Sequence, residues 1–450
     1  MEFNQELYEQ VLGAAKSFEE SLDSRPVTPS DEAVKALSYF EEPLSQRGED
    51  AKSVIKMLTD VGEPGVVSSR GGRYYGFVTG GAMPVSVAAN WMAATWDQNA
   101  GPYVLSPTAA KIEVVAGGWL LDVLDLPRDA GFGFVTGATM AGFTALCTAR
   151  NKLYKNLGYN LKEDGIRNAP KIRFVMSEEI HPTNIIALQY MGYGKNEFEY
   201  VPCDDQGRLI ASELPELDDH TIVLCQAGNV NSGSFDPFNE ICDKADGTGA
   251  WVHVDAAFGG WVRASKERKY LADGIDRADS WSFDCHKWLN VPHDSAVSIC
   301  RDREAMQDMF GVVAPYLVTG ENRDPDHYTP ELSRRARGIE IWAALKFLGK
   351  DGLADMIDRT ANFAKYYASE LEKMGINVAN DVVINQVVAT IDDDERLEQL
   401  ITDVQKSGKT WFGPTNWKGK KGFRISISSH STTKEDVDIS LDAVRTALKK

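Results

Sequence analysis

No stretch of the 450-residue chain approaches the ~18 uninterrupted apolar residues that a membrane-spanning helix requires. Its first residues, Met1-Glu2-Phe3-Asn4-Gln5-Glu6, lack the basic and apolar regions of a secretory leader, so export is not expected. Cysteine is scarce. The six residues (Cys147, Cys203, Cys225, Cys242, Cys285, Cys300) form no Cys-x-x-Cys or His/Cys pair, which argues against a disulfide framework and a structural zinc; no metal is expected, and a reducing cytoplasm is the expected location. Positive charge is also short: 48 Lys and Arg against 66 Asp and Glu leave a net charge of −18, and no basic stripe offsets it. Nucleic acid and membrane are therefore not expected partners. There is no internal repeat, low-complexity tract or flexible linker. What is present, 43% hydrophobic and 25% charged residues with unremarkable Gly and Pro, is the composition of a chain that buries a core. At roughly 150 residues per domain the length allows two to three structural units.

Up to about Val61 apolar residues recur at helical spacing (Leu7, Val11, Leu12; Val34, Leu37, Phe40; Val54, Ile55, Leu58), interrupted at Pro26, Pro29 and Pro43. A helical arm over residues 1–70 buries little by itself, so it is expected to pack on another subunit and support a homodimer. From 71 to 340, short β-branched runs alternate with amphipathic stretches such as Ala138 to Asn156. The runs lie at 133–135, 172–176, 199–201, 221–224, 251–254 and 280–283, and they predict an α/β unit with a mostly parallel sheet, covered on both faces. Ligands then belong at the carboxyl ends of the strands. Residues 341–450 read as a small α+β domain, following a helix over 332–348: helix 356–374, strand 382–391, helix 395–406, strand 423–428, helix 434–448.

Four short segments carry chemistry. The apolar run Ser280-Trp281-Ser282-Phe283 leads into Asp284-Cys285-His286-Lys287-Trp288. A lysine leaving a buried strand into a crevice loses hydration, which favours the neutral, imine-forming amine; in isolation Lys287 also reads as a snorkelling surface lysine. In Trp251-Val252-His253-Val254-Asp255-Ala256-Ala257 an acid ends another apolar run, where it either caps a turn or pairs with a buried cation such as a pyridinium nitrogen. Val135-Thr136-Gly137-Ala138-Thr139 opens a long helix, as an anion-binding turn or any tight strand-to-helix turn does. His181 follows the run 172–176, where its ring either stacks on a planar ligand or is an ordinary satisfied histidine.

Taken together, and in this order, these segments resemble the group II decarboxylases, the fold type I pyridoxal phosphate family that includes aromatic-L-amino-acid, histidine and glutamate decarboxylases. The resemblance rests most firmly on His253-Val254-Asp255-Ala256 and His286-Lys287-Trp288, with support from Tyr75-Gly76-Phe77-Val78-Thr79-Gly80-Gly81, the run 228–236 and Leu332-Ser333-Arg334-Arg335. It implies a seven-stranded central sheet and a dimer with shared sites. It further implies that Lys287 binds the pyridoxal 5′-phosphate aldehyde as an imine, Asp255 faces the ring nitrogen, His181 stacks on the ring and Ala257 lies beneath it. Ala138, Thr139 and Asn229 would hold the phosphate with His286 beside them, and His253 would stand behind. The implied reaction turns an L-amino acid, expected to be aromatic, into its amine and CO₂.

Three positions depart from the family pattern. The loop tyrosine thought to protonate the carbanion is replaced by Pro325, leaving Tyr328, His181 or water as donor, or O₂ as an alternative acceptor. Asp284 stands where several aromatic decarboxylases carry Asn, and Met140 and Gly142 where many have Glu and Asn. Tyr75, Phe77 and Trp96, with Tyr74, fall in the region that lines the family's substrate pocket, though each also reads as a core aromatic. Arg424 either receives a carboxylate or pairs with a nearby acid. Decarboxylation leads the readings; an aldehyde synthase or carbon–carbon lyase is the alternative, and a non-catalytic binding protein is a third.

Overall fold

The computed structural model describes residues 4–312 and 320–450. The arm consists of α1 (Gln5–Ser21), α2 (Asp31–Ala36) and α3 (Ala51–Met57). Each begins at a residue whose side chain accepts a helix N–H: Asn4, Ser30 and Asp50. None of the three buries a residue fully within this chain, and Leu12, Phe40, Val54 and Leu58 stay exposed. Two further helices follow, α4 (Pro84–Trp96) and α5 (Pro107–Val123), both with Pro in the first turn.

The large sheet contains β1 (Gly131–Val135), β2 (Arg173–Ser177), β3 (Phe198–Val201), β4 (Thr221–Gln226), β5 (Trp251–Asp255), β6 (Ser280–Asp284) and β7 (Ala296–Cys300). Their spatial order is β1-β7-β6-β5-β4-β2-β3, and only β7 runs against the others. Every residue of β1, β4, β5, β6 and β7 is buried, which is why the first four of these were legible as short apolar runs. The fold is α/β with a mostly parallel seven-stranded sheet. β7 escaped the sequence reading because Ala-Val-Ser-Ile-Cys interleaves a polar residue and follows the lysine motif after a short hairpin.

A second, antiparallel sheet joins β8 (Asn377–Val378), β9 (Gln386–Thr390), β10 (Gly413–Trp417) and β11 (Lys420–Ser426) in the order β10-β11-β9-β8. The helix Gly338–Lys373 bridges both sheets and bends at Gly349, whose φ of 60° no other residue type adopts easily. The expected helix at 332 begins six residues later, since the chain at Arg334 and Arg335 is hydrogen-bonded and bridged to Asn99 and Ala100 in the α4–α5 connection. Tyr75 is fully buried in the core of this second sheet, edge-on to Tyr367.

Candidate active site

The carboxyl ends of β4, β5 and β6 lie side by side, in register Gln226 to Asp255 and Asp255 to Ser282, and each strand ends in a buried polar residue: Gln226, Asp255 and Asp284. β1 ends beside them and turns through Gly137 into α6 (Ala138–Asn156). The cavity above these ends has a volume of about 320 Å³. Of the residues singled out in the sequence, Ala138, Thr139, His181, Asp255, Ala257, His286, Lys287, Phe77 and Arg424 line it.

Lys287 is presented by a short hairpin between β6 and β7. The N–H groups of Cys285 and His286 both donate to the Ser295 carbonyl, and Trp288 Nε1 donates to Thr360 Oγ1 at 2.9 Å. From there Lys287 Nζ meets Asp284 Oδ2 at 2.9 Å. His286 Nδ1 accepts from the Ser295 N–H at 3.1 Å, which leaves Nε2 to carry the proton toward Asp284 Oδ1 at 3.4 Å. Burial pushes the His286 imidazole down to about 4, so it is neutral.

Asp255 is 7% exposed and held at both oxygens: Asn184 Nδ2 donates to Oδ2 at 2.7 Å and the Ala257 N–H to Oδ1 at 3.1 Å. Behind it, His253 is fully buried, bonds through Nδ1 to Ser280 at 2.9 Å, and is lowered by desolvation to about 4; its Nε2 has no partner. Gly142 faces that nitrogen, since a Cβ there would lie 3.9 Å from it. Among the described residues no other protein group takes the place of the hydrogen bond that a longer side chain at 142 would make to this nitrogen.

His181 caps the helix Pro182–Tyr190. Its Nδ1 accepts from the Thr183 N–H at 3.3 Å, and its own N–H donates to Gln226 Oε1 at 3.0 Å. Burial holds His181 below the ordinary histidine value, with Asp255 pulling upward and Lys287 downward. Arg424, on β11, donates through Nη1 to the Val230 carbonyl at 2.8 Å and forms no ion pair among the described residues. Burial lowers it to about 10.

Four expected site residues are placed elsewhere. Tyr75 belongs to the second core and Trp96 is 42% exposed at the end of α4, outside the cavity; an apolar aromatic in sequence does not disclose which core it enters. Asn229 is buried but turns its Oδ1 onto the N–H groups of Asn231 and Ser232, and only its neighbours Gly228 and Val230 line the cavity. Tyr328 is 3% exposed in the core under α6, its hydroxyl accepting from Gln307 Nε2 at 2.8 Å and its ring carrying the Arg323 guanidinium. Tyr316, at the start of the same loop, lies outside the described residues. Conversely, Asn184, Gln226, Thr183 and Phe258 belong to the site without having been expected. Asn184 had a signal, standing one helical turn after His181.

An amine, an anchored carboxylate and a helix N-terminus thus surround one cavity floored by Ala257, and that donor set fits a flat, phosphate-bearing aldehyde with a basic ring nitrogen. Comparison with known proteins agrees. Residues 34–391 match the family model described as the pyridoxal-dependent decarboxylase conserved domain. The chain belongs to this family. It is a pyridoxal phosphate enzyme of the carboxy-lyase class. The chain is 25% identical to the aromatic-L-amino-acid decarboxylase of Bacillus atrophaeus, over 93% of this chain and 90% of that one. It is 23% identical to 3,4-dihydroxyphenylacetaldehyde synthase of Aedes aegypti, over 94% and 85%. The fold matches Oryza sativa TDC, solved with PLP and tryptamine, at a TM-score of 0.91 with 21% identity, covering 100% of this chain and 99% of that one. Among the described residues no helix is long and apolar enough to cross a membrane.

Proposed function

We propose that this decarboxylase acts on an aromatic L-amino acid, releasing CO₂ and the amine. The observation that carries the reading is the pairing of Lys287 and the doubly anchored Asp255 across one cavity whose walls include Phe77 and Phe258. The names of its relatives, an aromatic-amino-acid decarboxylase and an aldehyde synthase, support the substrate class.

Bound pyridoxal phosphate supplies the electron sink that accepts the pair left at Cα when CO₂ departs. Lys287 would hold the cofactor through its amine until the substrate amine takes that place. Asp255 would keep a proton on the ring nitrogen, His181 would stack on the ring, and the opening of α6 at Ala138 and Thr139 would receive the phosphate. Arg424, lacking an acidic partner, draws the substrate carboxylate into the cavity. With Tyr328 engaged in the core, His181 is the cavity side chain that would relay a proton from water to Cα, its Nδ1 accepting from the Thr183 N–H and leaving Nε2 for the transfer.

The molecule works as a cytoplasmic homodimer. The exposed apolar residues of α1 to α3, with Trp91 and Met92 of α4, support a second copy as their cover, and the free cysteines support a reducing compartment. Residues 1–70, 71–340 and 341–450 serve as arm, cofactor unit and small unit, consistent with separate cores around the two sheets.

The test is a panel of tryptophan, tyrosine, phenylalanine, aspartate and glutamate with CO₂, amine, aldehyde and peroxide measured together. Equal amine and CO₂ from an aromatic substrate is expected; CO₂ from the acidic substrates alone refutes the proposed specificity, and none from any refutes decarboxylation. Pro325 and the buried Tyr328 favour one second reading, in which O₂ and water convert the substrate to aldehyde, CO₂, ammonia and peroxide.

A further inference from the structure

Asp284 stands where two demands of cofactor binding collide. Its carboxylate, 4% exposed, holds Lys287 Nζ with Oδ2 at 2.9 Å, while Oδ1 accepts the Ala138 N–H at 2.6 Å. That N–H is the first of α6, whose N-cap residue Gly137 has no side chain to offer, so the cap comes from β6, 146 residues further along the chain. One buried anion therefore balances the lysine and occupies the end of the helix to which the phosphate is assigned.

Several other groups face this carboxylate. His286 approaches from the same hairpin at 3.4 Å, His293 stacks on His286 with ring centroids 4.2 Å apart, and His181 feels Asp284 from the helix Pro182–Tyr190. Burial lowers all three imidazoles, so none of them offers Asp284 a counter-charge at neutral pH, and the contact at 2.9 Å is with the Lys287 amine. Once the lysine nitrogen is committed to the cofactor as an imine, its positive charge would be shared with the cofactor's own phenolate oxygen, and a phosphate dianion would add to the negative charge at the helix end. Two adjacent anions in a buried site do not both stay ionised without a cost in affinity.

We propose that Asp284 is a positioning residue that takes up one proton from water when the phosphate-bearing cofactor binds. As a carboxylate it caps α6 and orients Lys287 in the free protein; as a neutral acid it donates a hydrogen bond instead of repelling the phosphate. Cofactor retention is therefore proton-linked. The inference rests on the phosphate seat at Ala138 and Thr139 proposed above.

The test uses the holoenzyme and does not read turnover. Cofactor dissociation constants are taken from the absorbance of bound cofactor between pH 7.5 and 9, where the phosphate is already dianionic. For the wild type the constant is expected to rise about tenfold more per pH unit than for Asp284→Asn, the slope of one linked proton. Calorimetry in two buffers of different ionisation enthalpy should find one more proton taken up by the wild type than by the variant with pyridoxal phosphate, and no difference with pyridoxal, which lacks the phosphate. Equal slopes, or the same excess with pyridoxal, overturn the proposal. Should Asp284→Asn not fold, the wild type decides by itself: an uptake that does not differ between pyridoxal phosphate and pyridoxal overturns it. Thr139→Ala separates the premise from the inference. It should weaken pyridoxal phosphate and spare pyridoxal; if it spares both, the phosphate seat and the inference fall together, whereas a weakened Thr139→Ala with an unlinked Asp284 overturns only the inference.

Discussion

Asp255 is fixed before any cofactor arrives, because Asn184 and the Ala257 N–H hold both oxygens and the strand beneath is buried throughout. A preset carboxylate costs no reorganisation when it meets a ring nitrogen. At about 4 Å and an effective dielectric near 20, the attraction is roughly 4 kcal/mol, or about three pKa units on the nitrogen. Asp255→Asn keeps the shape and removes the charge, so it should retain bound cofactor by absorbance while kcat falls about 10²- to 10³-fold; turnover within threefold of wild type would mean that the charge is not used. Tyr328 is argued the other way. Its hydroxyl only accepts from Gln307, so Tyr328→Phe should cost about 1 kcal/mol in denaturant unfolding and leave kcat within twofold. A tenfold loss of kcat, with aldehyde rising at the expense of amine, would return the proton-donor role to Tyr328 and remove it from His181.

Among the elements, the turn segment at 76–81, in which Phe77 and Val78 adopt positive φ, and the lysine hairpin are packed without slack. A Cβ on Gly80 would lie 1.6 Å from the Lys287 carbonyl oxygen, so Gly80→Ala must displace either the segment or the hairpin. It should cost about 3 kcal/mol or more and weaken cofactor binding, read together by unfolding and by cofactor titration; a stable variant with unchanged affinity would show that the hairpin does not need this support. The same elements show what the sequence makes legible. Asp255 and Lys287 could be read because each ends an apolar run, and a buried strand can place a charge only where it emerges. The sheet's parallel strands were legible for the same reason. The cap on α6 was not, because nothing near Gly137 announces a carboxylate arriving from β6. That Tyr75, Trp96 and Tyr328 lie outside this chain's cavity was not legible, because side-chain type fixes neither the core an aromatic enters nor the direction it points.

Across the whole molecule, the histidines and two acids set how stability responds to pH. His253, His286 and His430 are each lowered by burial to about 4, so they fold uncharged, whereas an unfolded histidine titrates near 6.5. Between those values the unfolded chain binds more protons than the folded one, so stability is lost as pH falls from about 6.5 toward 4 and is present in full above it. Two buried acids oppose this. Asp236 is raised by desolvation to about 7 and Asp279 to about 6, so the folded chain holds their protons where the unfolded chain does not. The three histidines, with His181 and His293 lowered in the same direction, outnumber the two acids, so unfolding takes up at least about one net proton near pH 5.5, a slope of at least about 1.4 kcal/mol per pH unit that shrinks toward pH 7 as the unfolded histidines lose their protons and Asp236 opposes them. Denaturant unfolding of the holoenzyme should therefore be nearly flat from pH 7 to 8 and weaken steadily below 6. His430→Gln, outside the cavity in the turn that follows β11, should reduce the slope at pH 5.5 by about one proton while sparing cofactor absorbance. Stability that rose on acidification from 6 to 5 would mean that the acids outweigh the histidines, and that the three imidazoles are not buried as neutral groups.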